Sequence, residues 1–267
     1  MSETARPMTD PAREMVELLT MIAGGNPHQA GADLLATLFG VEPWSQDFYR
    51  IVVVILDRLD ELRGLVAMLP LDEDFRLEMV AHVEDIALAF KPNAFQASWH
   101  QFGLDKIGPK NLQPLKGIAG MVRQLVSYPK LSDEESATLV EDVTVLLTWL
   151  RDHQLAEHDF IRQALIEGLE HLVFRLERLR WLGWGYALEA LKEVIAAYML
   201  LERQGVDVNV NPDAAAVLSK VAAVIRTVYE KVEKAKGVAE TGDFILRAYG
   251  AAAAVQAVLP TIRGLLT

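Results

Sequence analysis

From Asp159 to Arg203 the apolar residues fall at the spacing of a helix, and a chain built around that stretch has to pack helices against one another. Ile161, Leu165, Leu169, Leu172, Leu176 and Leu179 recur at steps of three and four, which makes one helix face aliphatic and obliges it to be buried. Arg162, Glu167, Glu170, Arg175, Glu177, Arg178 and Arg180 lie between them and predict a charged opposite face. After Trp181-Leu182-Gly183-Trp184-Gly185 the pattern resumes with Ala187, Leu191, Val194, Tyr198 and Leu201. Two glycines at the break suit a tight turn and an antiparallel helix pair.

The flanking sequence reads the same way. Asp10-Pro11 and Asn26-Pro27 each place a capping side chain before a proline at the first helical position. Ser45 caps a long helix to Leu69, in which Ile51 to Leu56 is apolar all round and is expected to lie at the centre of the first half. A fourth helix starts near Asp72, with Asp72, Glu73 and Asp74 at its dipole-positive end. Gly108-Pro109 and Pro114 punctuate the chain before a helix carrying Leu115, Ile118, Val122 and Leu125. Ser132 to Glu135 is a capping box, and Asn211-Pro212 and Gly242-Asp243 open the last two helices. The fold expected is all-α: a multi-helix bundle of about ten helices in antiparallel pairs, with no sheet. Residues 1–92 form an acidic N-terminal lobe, 93–131 a basic connecting segment and 132–267 a C-terminal lobe, all of which one domain could contain.

Charge sets that middle segment apart. The net charge is −11, yet residues 93–131 hold five Lys and Arg against one acid. Lys106, Lys110, Lys116 and Arg123, beside Trp99 and His100, are therefore candidates to bind an anion such as a phosphate or nucleotide, and residues 99–130 a candidate nucleic-acid contact. The acidity of the whole argues against nonspecific nucleic-acid binding. Cysteine is absent, which removes disulfides, thiolate metal sites and cysteine catalysis. No apolar leader follows Met1, and the expected location is the cytoplasm. The apolar stretch from Phe244 to Leu266 is interrupted by Arg247, Gln256, Pro260 and Arg263, too often for a spanning helix. A buried helix is expected there, with a segment released into a membrane as the alternative.

Three patterns bear on chemistry. Arg151 and His158 form R-x6-H, which resembles the R-x4-6-H motif of HEPN ribonucleases; that resemblance implies an RNA-directed hydrolase with Arg151 and His158 as a metal-independent acid–base pair. His158-Asp159 resembles the dipeptide of the HD phosphohydrolases, for which nothing in the spacing selects further ligands. Glu78, His82 and Asp85 stand at i, i+4 and i+7 on one helix face, a spacing that offers three ligands to a divalent metal, although no second ligand cluster complements them. No Walker loop, G-x-G-x-x-G, G-x-S-x-G or H-E-x-x-H occurs. No complete catalytic constellation or cofactor motif emerges, so the function expected is a non-enzymatic interaction module or regulator, needing no cofactor, with a protein partner or a second copy of the chain. Trp181, Trp184 and Tyr186, with Trp184 hard to bury between two glycines, are its candidate partner-binding residues.

Overall fold

The computed structural model of the chain describes residues 7–154, 159–203 and 212–233. Among them are twelve helices and one two-stranded sheet, so the fold is essentially all-α. The sheet corrects the expectation of none: Met8–Thr9 pairs with Tyr128–Pro129, where the proline holds Tyr128 extended. The chain divides into two compact units that interleave along the sequence. The first takes Thr9–Tyr128 and Arg180–Gly183; the second takes Met1–Met8, Pro129–Leu179 and Trp184–Thr267.

In the first unit, α1 (Pro11–Ala23) is capped by Asp10, whose Oδ1 accepts from the Arg13 amide at 2.9 Å. The helix packs on α7 (Pro109–Leu125) and α3 (Gln46–Ala67) through Met15, Leu18, Leu19 and Ile22. Ser45 caps α3, with its Oγ accepting from the Phe48 amide at 3.2 Å. α3 also packs on α4 (Glu73–Ala87), and α4 on α7. The apolar run of α3 is not surrounded: Ile51, Val52 and Ile55 are buried, whereas Val53 is exposed. Helix α7 starts at Pro109 and runs through Pro114, which was expected to precede it.

α2 (Gly31–Phe39) starts later than Asn26-Pro27 predicted. Asn26 Oδ1 accepts from the His28 amide at 3.1 Å instead of capping a helix. The following residues pair with residues 97–100: Gly31 N donates to Ala97 O, Trp99 N to Gln29 O and His100 N to Pro27 O, at 3.0, 2.8 and 2.7 Å. α5 (Pro92–Gln96) and α6 (Gly103–Lys106) are short helices around this pairing. α10 (Leu179–Leu182) brings Trp181 edge-on to Phe39, and Gly183 after it has φ +78°. That φ favours glycine, and a Cβ there would also lie 2.2 Å from Glu14 Oε2 and 2.6 Å from Arg58 Nη2, so it would push their side chains aside. Arg58 Nη1 donates to the Trp181 carbonyl at 2.7 Å and Nη2 to Glu14 at 3.2 Å.

In the second unit, Ser132 makes the expected capping box with Glu135 at the start of α8 (Asp133–Asp152). α9 (Asp159–Glu177) packs on α8 and α11 (Trp184–Arg203); α12 (Pro212–Glu233) packs on α8 and α11. The aliphatic positions from Ile161 to Leu176 are buried as predicted, and Leu179 is half-buried. Arg162, expected on the charged face, is buried: it donates to the Leu150 carbonyl at 2.8 Å and to Asp159. No helix among the described residues is long and apolar enough to cross a membrane. The expectation for residues 244–266 lies outside the described residues.

Candidate docking surface

Lys106 and Lys110 of the basic segment and His82 and Asp85 of the candidate metal ligands converge on one polar network. Asn111, fully buried on α7, donates through Nδ2 to Asp85 Oδ2 at 2.9 Å and to the Lys106 carbonyl at 2.8 Å. Both partners are acceptors, which fixes the orientation of the amide and leaves Asn111 Oδ1 to accept from His82 Nδ1 at 2.8 Å. Lys106 Nζ donates to Asp85 Oδ1 at 2.7 Å, and Lys110 lies 4.0 Å from the other oxygen. Burial pushes the Asp85 carboxyl up, but the hydrogen bonds from Lys106 and Asn111 and the charges of both lysines outweigh it and hold the group below its ordinary range. The same hydrogen bond to Asp85 raises the Lys106 ammonium, against a smaller effect of burial.

Glu78, His82 and Asp85 do not come together as ligands. The His82 ring turns to Asn111, Asp85 to Lys106, and Glu78 stays exposed 3.9 Å from His82 Nε2. No group of three or more potential metal-holding side chains forms among the described residues. Arg123 pairs at 3.2 Å with the buried Asp10 carboxylate, and Lys116 is exposed on α7. An anion would therefore compete with carboxylates at Lys106, Lys110 and Arg123.

In the second unit Arg151 donates to Glu170 at 2.6 Å; His158 lies outside the described residues. Trp184 is 4% exposed, in contrast to its expected incomplete burial, because its position at the start of α11 faces the helix packing. Trp181 and Tyr186 are half-buried, and the Tyr186 carbonyl accepts from Arg175 at 2.7 Å.

The aromatic surface that stays uncovered lies instead on the first unit. Trp44 has φ +64°, the single non-glycine residue among those described with positive φ, in a conformation costly for a bulky side chain. It precedes the Ser45 cap, so its ring meets Tyr49 one turn into α3, at 6.3 Å between centroids, as a hydrophobic staple. Phe48 and Phe95 support it from below at 5.9 and 6.1 Å and are themselves buried. Trp44 is 45% exposed, Tyr49 47% and Val53 53%. Tyr49 and Val53 are neighbours at i and i+4, and Leu56, half-buried, continues the strip at i+7. Asp57 and Asp60 follow on the same outward face. The result is an aromatic–aliphatic ledge ending in carboxylates.

Sequence reasoning passed over this ledge. The available signal was tryptophan immediately before a serine cap with tyrosine four residues after the cap, together with an apolar run too complete for a helix with only one buried face. Phe95, the support contributed from another helix, gave no local signal.

Fold and surface together define an all-helical protein with a preformed, exposed aromatic ledge. No family model, curated protein or solved structure matches the chain.

Proposed function

We propose that this protein is a non-enzymatic interaction module, a regulator that docks a cytoplasmic protein partner on the ledge Trp44, Tyr49, Val53 and Leu56. In this reading its helices form an antiparallel bundle that holds the ledge rigid. The observation that carries the proposal is Trp44 itself: an indole held in a strained backbone conformation, braced by three rings and still nearly half exposed. Strain that the surrounding structure maintains is a recurrent property of binding surfaces, and tryptophan and tyrosine are the residues that dominate interface energetics. The order along α3, apolar then acidic, selects a partner helix that presents aliphatic side chains followed by Lys or Arg.

The test places a photo-crosslinking amino acid at Val53 and, as a control of similar exposure on the second unit, at Val145 in the intact protein expressed in its own cells. A protein adduct specific to position 53, mapped to an aliphatic–basic helix and lost with Trp44→Ala, is the expected result. Equal labelling from both positions, or labelling indifferent to Trp44→Ala, would overturn the proposal. Adducts with a second copy of the chain alone would make the ledge a homo-oligomer contact instead.

A further inference from the structure

We infer that His28 and His100 form a binding site for a borderline divalent metal ion of the zinc, nickel or copper type, independent of the ledge and of the Glu78–His82–Asp85 face. Ala30 and Ser98 form an antiparallel bridge, and the amides of Gly31 and Trp99 donate across it to Ala97 and Gln29. Beyond this single bridge the chains turn: Gln29 N donates to Asn26 O at 3.3 Å around His28, and His100 lies in the 3-10 turn Trp99–Gln101, whose His100 amide donates to the Pro27 carbonyl. The two turns bring the imidazoles side by side. The ring centroids lie 6.4 Å apart, and both residues are exposed.

The backbone that carries the two rings is held firmly. His100 N donates to the Pro27 carbonyl at 2.7 Å, Ser98 Oγ to the same carbonyl at 3.1 Å, and the His28 amide to Asn26 Oδ1 at 3.1 Å. Trp99, between the two donor positions, is completely buried, and Gly31 lies so close to α5 that a Cβ would stand 2.1 Å from the Ala94 carbonyl oxygen. The segments therefore pay little further ordering entropy when an ion bridges the rings.

The chemistry fits neutral imidazole. A ring nitrogen binds zinc at about 2.0–2.1 Å, and a tetrahedral ion would bring the two rings roughly 1 Å closer than they stand, a movement exposed side chains make by rotation. Imidazole pairs suit zinc, copper and nickel and not calcium or magnesium, which prefer oxygen. With two protein ligands the ion keeps open positions for water or for a donor from a bound molecule. No cysteine competes for it anywhere in the chain.

The experiment is calorimetric titration of zinc into the intact protein, with His28→Gln and His100→Gln tested singly. One ion per chain is expected, and because chelation makes the second bond intramolecular, either substitution should weaken binding on the order of a hundredfold. A second measurement needs no variant: zinc should slow hydrogen exchange at the Trp99 and His100 amides, whose acceptors lie on the His28 segment. Absence of binding at millimolar zinc, binding unchanged by either substitution or reduced by only one of them, or exchange at those amides indifferent to zinc would each overturn the inference.

Discussion

Trp44 shows at the scale of one residue how a local rule can hold while its consequence stays hidden. The staple that it forms with Tyr49 follows from its place before a serine cap, yet the positive φ follows from no such rule, and the ring's other support, Phe95, comes from far along the chain. Trp44→Gly and Trp44→Ala remove the same ring, but glycine also removes the conformational penalty. In urea, Trp44→Gly should therefore be the more stable of the two by about 0.5–1 kcal/mol, an inversion of the usual preference for alanine over glycine. If alanine proves the more stable, the left-handed conformation is wrong.

At the scale of the element, caps were the legible part and long-range pairing was not. Asp10, Ser45 and Ser132 begin helices where the sequence placed them, because each needs only the next turn of its own chain. Asn26 does not: the carbonyls after it find donors some seventy residues away, and no local pattern announces those partners. Ser132→Ala should cost about 1 kcal/mol in chemical unfolding, the value of a lost cap. The network joining α4, α6 and α7 was half legible. Its residues were singled out separately as metal ligands and as anion-binding cations, and the buried Asn111 that unites them was missed because a lone asparagine inside a helix carries no signal.

The pH behaviour of that network follows from the two shifts. Asp85 titrates below its ordinary 3.8 in the folded protein, so its contribution is fully present above that value and is lost as pH falls through the lower folded value. Lys106 titrates above 10.5, so its contribution is present below that value and is lost as pH rises through the higher one. Asp85→Asn should reduce the loss of stability on acidification relative to wild type, and Lys106→Met the loss in strong alkali. Thermal unfolding across pH 2.5–7 checks the first; an unchanged acid limb would contradict it.

At the scale of the whole molecule, the helical class was legible throughout, because amphipathic periodicity survives any arrangement of the helices. The interleaving of the two units was not, since Arg180–Gly183 sits inside the very stretch whose periodicity is strongest, and nothing in that pattern marks four residues as belonging elsewhere. Their place is set by Arg58, which holds Glu14 and the Trp181 carbonyl together. Glu14→Ala takes the carboxylate from a buried guanidinium and should cost about 3–5 kcal/mol, whereas Glu14→Gln, which keeps an acceptor there, should cost less. Denaturation of the two variants distinguishes the cases, and equal loss in both would show that the ion pair is not what holds the segment.

The four-residue insertion also sets a timetable. A ribosome delivers Tyr128 about 55 residues before Gly183, which at 5–20 residues per second is a delay of roughly 3–11 s. Throughout that interval the nascent first unit carries Arg58 and Glu14 without the Trp181 carbonyl that Arg58 holds, and that piece of chain arrives only after the whole of α8 and α9 has been made.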